Sequence, residues 1–292
     1  MKLATLLIEG EATLAVVSTG EDLFWTVEQL SGRRFPAMID LIRAYDSVKH
    51  TLVPAGPGSP LSDVTIAPPL EPPRNVMCVG KNYRAHAHEF TRSGFDSSAK
   101  DASEAIPAAP IVFTKAPETV IGSGQDIEYP IGLSEQIDYE AELGVVIGKH
   151  AKRVSKAQAL DCVFGYVIIN DVTARDLQAK HKQWFIGKSL DTFCPMGPWL
   201  VTADEIGNEN LELKCWVNGE LRQHANTRDL IFDVPTLIET LSAGLTLQPG
   251  DVIATGTPAG VGIGFTPPRF LSRGDEVVIE ISQLGRLVNR LA

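Results

Sequence analysis

Asp138-Tyr139-Glu140-Ala141-Glu142 opens a run that continues Leu143-Gly144-Val145-Val146-Ile147. The Val and Ile content predicts a strand over 137–147. Alternate residues of a strand share a face. Asp138, Glu140 and Glu142 therefore project one way, and Ile137, Tyr139, Ala141 and Leu143 the other. Carboxylates crowded on one face repel one another unless water or a cation compensates them. Two Glu separated by one residue at the mouth of an apolar strand are suitable donors for a hard cation. The same acidic face would also serve as a solvated edge that discourages strand-to-strand aggregation.

Other segments carry complementary chemistry. Phe164-Gly165-Tyr166-Val167-Ile168-Ile169 is apolar and ends in Asn170-Asp171. Asp171 is placed either to join the two Glu or to cap a short helix over 172–178. Two Glu and one Asp, without His or Cys, suit Mg²⁺ or Mn²⁺ rather than Zn²⁺ and leave positions for water or substrate. His86 and Glu89 are three residues apart, so on a helical turn they are neighbours. A carboxylate beside an imidazole orients it and raises its basicity, as a general base requires; the alternative is a solvated polar turn. Lys188 lies among apolar residues. It either neutralises carboxylate or grips an anionic substrate, or it snorkels to the surface. The Gly-rich loop over 256–264 lacks a P-loop ending, and Thr266-Pro267-Pro268 follows where a Rossmann turn would have a helix. Its amides and Thr257 are suited to holding a carboxylate, unless the loop is simply tight.

These residues need a scaffold. The 292 residues allow one large domain with a small appendage. The net charge of −10 argues against a general nucleic-acid or anionic-membrane binder and leaves a small anionic substrate open. The four Cys have no metal or redox spacing and read as buried free thiols of a reducing compartment. No stretch is apolar enough to span a bilayer, and the first apolar run breaks at Glu9, so a soluble cytoplasmic protein is expected.

Residues 1–70 read as a small α+β unit. Strands are predicted at 3–8 and 12–18, and a helix over 36–48 with Pro36 in its first turn. Pro- and Gly-rich segments at 54–60 and 68–73 lead into a main domain over 71–292. There, strands are predicted at 75–79, 111–114, 164–170, 211–217, 252–255, 276–281 and 287–290, beside the one over 137–147. Asn218-Gly219 marks a hairpin, and Asp233 caps a helix that stops at Gly244. The aperiodic stretch 91–109 reads as a lid or a disordered loop. Many strands and few helices predict a mixed α+β, mostly β, roll or sandwich.

Five separated motifs occur in order: Gly-Lys-Asn-Tyr-x-x-His-x-x-Glu, Asp-Tyr-Glu-x-Glu, Asn-Asp-Val-Thr-Ala-Arg-Asp-x-Gln, Gly-Lys-Ser-x-Asp and Gly-Thr-Pro-x-Gly-Val-Gly. Over residues 74–292 this series resembles the fumarylacetoacetate hydrolase family, most closely its bacterial members acting on acylpyruvates and related 2-oxo diacids. The resemblance implies a β-sandwich roll, a homodimer, Mg²⁺ or Mn²⁺, and a small 2-oxo acid as the partner, with no nucleic acid or membrane. It implies Glu140, Glu142 and Asp171 as metal ligands and His86 with Glu89 as a catalytic dyad at the start of a lid. It implies Lys188 as the active-site lysine and Arg175, Gln178 and Thr257 as substrate contacts. Asp138 receives no role, and the N-terminal unit is a structural appendage. The implied reaction is C–C hydrolysis of an acylpyruvate such as fumarylpyruvate, releasing pyruvate. Oxaloacetate decarboxylation or tautomerisation, or isomerisation of a 2-hydroxyhepta-2,4-diene-1,7-dioate type of substrate, would use the same site, because all develop an enolate.

Overall fold

A computed structural model describes residues 1–18, 20, 22–96, 98 and 102–292. Its large twelve-stranded sheet runs in the order Ser59–Pro60, Leu23–Thr26, Glu11–Ser18, Lys2–Ile8, Cys194–Thr202, Val163–Asn170, Ala141–Ile147, Val252–Ala254, Val76–Gly80 and Ile111–Lys115. Thr65–Ala67 and Val120–Ile121 pair off this path. A five-stranded sheet runs Glu220–Asn226, Glu212–Val217, Glu276–Ile281, Gly285–Leu291 and Asp126–Ile127. Ile137–Asp138 and Thr173–Ala174 form a separate short ladder.

Period-two alternation along the large sheet separates a core on each of its faces, and Phe90, Trp184, Val261 and Ile263 form a smaller third cluster. Leu143, Val145 and Ile147 share one core with Tyr166, Ile168 and, from the five-stranded sheet, Leu213, Cys215 and Ile279. Val146, Val167 and Ile169 face the other, against Leu41, Ile42 and Tyr45 of the helix Met38–Val48. The large sheet is thus covered on both faces, which is why 145–147 and 166–169 read as unbroken apolar runs. The fold is a mixed α+β sandwich dominated by strands. The N-terminal strands join the large sheet through Lys2–Ile8, which pairs with Cys194–Thr202 in the register Leu3↔Leu200. No helix among the described residues is long and apolar enough to cross a membrane. All four cysteines are buried and free.

Several elements differ from the sequence expectation. The strand over 137–147 is interrupted: Ile137–Asp138 and Ala141–Ile147 belong to different ladders. At the break, side chains satisfy the backbone. Tyr139 N donates to Asp138 Oδ1 at 2.9 Å, and Glu140 N donates to Asn170 Oδ1 at 3.1 Å. Pro36 precedes the helix rather than entering it, with Ala37 as the N-cap. Asp171 caps no helix, because Thr173–Ala174 is strand and the following helix, Arg175–His181, has Ala174 at its N-cap. In the stretch read as a lid, residues 91–93 complete the helix Arg84–Ser93, Gly94 ends it at φ 83°, and Ala102–Glu104 is a 3₁₀ turn. Residues 97 and 99–101 of that stretch lie outside the described residues. The central strand Cys194–Thr202 is not among the strands expected from sequence, and it carries Pro195, Gly197 and Pro198, residue types that weaken a strand pattern.

The hairpin forms as its sequence requires, with Asn218 at φ 50° and Gly219 at φ 79°. Asp233 caps Val234–Gly244 through Thr236 N at 2.9 Å.

Gly165 tests the packing. A Cβ there would lie 2.2 Å from Val201 O in the neighbouring strand. Gly165→Ala therefore overpacks the centre of the sheet and should destabilise the protein by about 1–3 kcal/mol. An unchanged midpoint in denaturant titration would show that the sheet yields there.

Candidate active site

The antiparallel pairing of Ala141–Ile147 with Val163–Asn170 places Ala141 opposite Asn170 and Glu142 opposite Ile169. One residue beyond each strand, Asp171 N donates to Glu140 O at 2.9 Å. This register brings Glu140, Glu142 and Asp171 together, with one potential ligand oxygen from each lying within 4.8 Å of the others. All three are buried. An all-oxygen, carboxylate-only, converging donor set fits a hard divalent cation and lacks the sulfur or imidazole that zinc sites favour.

Three cations balance the cluster. Lys188 Nζ donates to Glu140 Oε2 and to Asp171 Oδ2, both at 2.8 Å. Lys115 Nζ donates to Asp171 Oδ1 at 2.6 Å and to Val172 O at 3.0 Å. Arg175 Nη1 pairs with Glu140 Oε1 at 2.6 Å, and Arg175 Nε with Asp138 Oδ2 at 2.9 Å. Lys188 is buried, so it does not snorkel. It comes from the short helix Phe185–Lys188, which lies hard against Arg175–His181: a Cβ on Gly187 would sit 2.5 Å from Gln178 N. Lys115 was missed in the sequence, where nothing near the end of Ile111–Lys115 marks its distant partner.

The Gly-rich loop holds carboxylates belonging to the chain itself. Gly256 N donates to Glu142 Oε2 at 2.8 Å, and Gly260 N to Glu89 Oε1 at 3.0 Å. Gly262 N and Ile263 N donate to Asp138 Oδ1 and Oδ2 at 2.6 and 3.1 Å. Asp138, given no role by sequence, thereby links this loop to Arg175. Thr257 Oγ1 accepts from Gln223 Nε2 at 2.7 Å, and Gln223 Oε1 accepts from Ala141 N at 3.1 Å.

His86 and Glu89 lie on Arg84–Ser93, with His86 Nδ1 3.1 Å from Glu89 Oε2. That contact leaves Nε2 available to a ligand. The helix is anchored through Asn82, whose Nδ2 donates to Thr255 O at 2.7 Å. His86, Glu140, Glu142, Arg175, Gln178, Lys188 and Thr257 line one pocket, with Phe90, Phe113 and Trp184 supplying apolar walls. Asp171 sits behind Lys188 and Lys115, and Glu89 behind His86. Gln178 Oε1 accepts from Arg175 Nη1 at 3.2 Å, while Arg175 Nη2 is buried without a partner.

The electrostatics are uneven. Burial pushes the Glu140 carboxyl up, but Lys188, Arg175 and His86 outweigh it and hold it down at about 2. Glu142 goes the other way: burial, Asp171 and Glu140 raise it well above the usual carboxylate range, against the weaker pull of Lys188 and the Gly256 amide. For Lys188, burial opposes the charge, yet Asp171 and Glu140 keep the ammonium favoured.

Glu142 therefore holds a proton over a pH range where an ordinary glutamate does not, and a cation must expel it. Binding of Mn²⁺ should release protons and tighten as pH rises toward the raised Glu142 pKa, flattening above it. Glu140, held down at about 2, is already ionised at neutral pH and adds nothing to this linkage there. Calorimetry in two buffers of different ionisation enthalpy measures the released protons. Zero release in the wild type would contradict this charge assignment.

The sequence model of the fumarylacetoacetate (FAA) hydrolase C-terminal region matches residues 75–292. The oxaloacetate tautomerase YisK of Bacillus subtilis is 53% identical over 234 residues, covering 79% of this chain and 74% of that protein. The fumarylacetoacetate hydrolase structure from Exiguobacterium antarcticum aligns at TM-score 0.84 with 38% identity, covering 100% of this chain and 99% of that one. Maleylpyruvate hydrolase from Sphingobium sp. SYK-6, in complex with manganese(II) and pyruvate, aligns at TM-score 0.81 with 32% identity and coverage of 100% and 99%.

Proposed function

The chain belongs to the fumarylacetoacetate hydrolase family, and on that premise we propose that it interconverts the enol and keto forms of oxaloacetate or a closely similar 2-oxo diacid. Its likeness to the Bacillus tautomerase carries the choice of reaction. The pocket supports it with a carboxylate cluster, a buried ammonium and a His–Glu dyad on shared walls. Held by Glu140, Glu142 and Asp171, Mg²⁺ or Mn²⁺ would supply Lewis-acid polarisation of the adjacent oxygens of the 2-oxo acid.

The remaining work falls to the chain. Lys188 spends two of its three N–H donors on Glu140 and Asp171. The third is free for the charge that develops on the C2 oxygen. The unpartnered Arg175 Nη2 is a donor for the C1 carboxylate, and Gln178 and Thr257 add polar contacts. In the keto-to-enol direction, His86 Nε2 takes the C3 proton, and Glu89 fixes the ring and supports the imidazolium. The imidazolium then gives that proton to the C2 oxygen, so one proton has moved from C3 to O2; in the reverse direction the oxygen gives its proton to Nε2, which returns it to C3. Phe90, Phe113 and Trp184 keep bulk water from the exchange. The chain acts with residues 1–70 as a structural unit and 71–292 as the catalytic domain, in the cytoplasm and as a homodimer.

A second reading is C–C hydrolysis of an acylpyruvate to pyruvate and an acid, favoured by the same dyad, which is equally suited to activating water. His86→Ala and Glu89→Ala separate the readings. For a tautomerase, both should slow the decay of enol-oxaloacetate absorbance by about 10²–10⁴-fold while Mn²⁺ affinity holds. Wild-type protein should then release little pyruvate from acetylpyruvate or fumarylpyruvate. Rapid, His86-dependent pyruvate release with slow ketonisation would overturn the tautomerase assignment in favour of hydrolysis.

A further inference from the structure

Three positively charged residues among the described ones line the pocket beside His86: Lys81, Arg175 and Lys188. Arg175 and Lys188 are each tied to two carboxylates of the cluster or its support. Lys81 is tied to none of them. Its Nζ donates to Asp96 Oδ2 at 2.7 Å and lies 3.5 Å from Ser98 Oγ. The two side chains are 1% and 2% exposed. Thr91 Oγ1 holds Asp96 Oδ2 at 2.7 Å, and Ser98 N holds Oδ1 at 2.8 Å. The carboxylate is therefore fixed by its own segment and fixes the ammonium in turn.

An ammonium has three donors, and Asp96 takes one at full strength. Lys81 also has φ 58°, a left-handed conformation that glycine or asparagine adopts more easily.

A 2-oxo diacid has two anionic ends. Its 2-oxo acid end belongs at the carboxylate cluster, where Lys188 offers its third donor and a cation held by Glu140, Glu142 and Asp171 would supply Lewis-acid polarisation. Its other carboxylate enters a pocket whose walls include Phe90, Phe113 and Trp184, and an unpaired carboxylate against such walls is costly. We propose that Lys81, aimed by Asp96, binds the distal carboxylate and makes the site selective for 2-oxo acids with two carboxylates over those with one. This rests on reading the pocket as a 2-oxo acid site, and it assigns a specificity-determining residue there.

The test compares two four-carbon acids, oxaloacetate and 2-oxobutanoate, which differ in the distal carboxylate. Exchange of their C3 hydrogens in D₂O is followed by NMR on Mn²⁺-loaded protein, and their affinities are measured separately by calorimetry. Lys81→Met should reduce the oxaloacetate-to-2-oxobutanoate ratio of kcat/KM, and of affinity, by about tenfold or more, the loss expected for one charged hydrogen bond. Lys81→Arg should restore part of the ratio, and Asp96→Asn should lower it. Removing Lys81 alone leaves Asp96 buried without its cation, so Lys81→Met/Asp96→Asn serves as the charge-balanced control and should show the same collapse. A merely structural role would depress both acids alike and keep the ratio, which overturns the proposal. If the wild type binds both acids but exchanges neither, the tautomerase reading fails while the affinity ratio still decides the role of Lys81. Failure to bind either acid overturns both.

Discussion

Burying three carboxylates within 4.8 Å of one another is the constraint that shapes this protein. Two like charges at that separation repel by about 3–4 kcal/mol even at an effective dielectric constant of about 20. Sheet pairing alone does not hold them. The register that puts Glu140 beside Asp171 is sustained because the chain delivers compensation from four directions. Lys115 arrives from the edge strand of the large sheet, and Lys188 and Arg175 from two tightly packed short helices. The Gly256 amide arrives from the Gly-rich loop. Two of these contributors need close backbone approach, which is where glycine is required.

The charge balance also explains how such a site becomes receptive. Asp138, Glu140, Glu142 and Asp171 face Lys115, Arg175 and Lys188, so one negative charge is in excess. Glu142 absorbs it by holding its proton, consistent with its raised pKa. A divalent cation that displaces this proton would turn the surplus to one positive charge, the sign an anionic 2-oxo acid needs. Metal affinity and substrate affinity are therefore coupled through the same few side chains. The Gly-rich loop binds Glu142, Glu89 and Asp138 through the amides of Gly256, Gly260 and Gly262. It thus positions Glu142 of the carboxylate cluster, the partner of His86 and the anchor of Arg175 from one loop.

Legibility in the sequence followed the range of the interaction. Glu140 and Glu142 were visible because strand period puts them on one face, and His86 with Glu89 because helical period makes them neighbours. The Asn218-Gly219 hairpin and the Asp233 cap are local, and they formed as read. Lys115 was invisible because its partner is Asp171, 56 positions away. Asp138 is outside the converging carboxylate set, as the resemblance implied, and its structural part was hidden for a similar reason, since its amide donors lie at Gly262 and Ile263. The alternation rule treated 137–147 as one strand, but the Asn170 and Asp138 side chains take over the backbone bonds at the break. Cys194–Thr202 carries two prolines inside a central strand: Pro198 falls where the ladder with Val163–Asn170 shifts register between Tyr166 and Ile168, and Pro195 lies at the end that pairs with Val120–Ile121.

The central claim is that Glu140, Glu142 and Asp171 form one divalent-cation site. Anomalous diffraction at the manganese edge, on crystals grown with Mn²⁺, tests it most directly. A single strong peak bounded by oxygens of these three side chains at roughly 2.0–2.3 Å is expected. Lys115 should remain on Asp171, because that lysine balances the cluster from behind. Contradiction would be a map with no peak there, Glu140 and Asp171 still paired with Lys188, Lys115 and Arg175, Glu142 still on the Gly256 amide, and manganese bound at other residues.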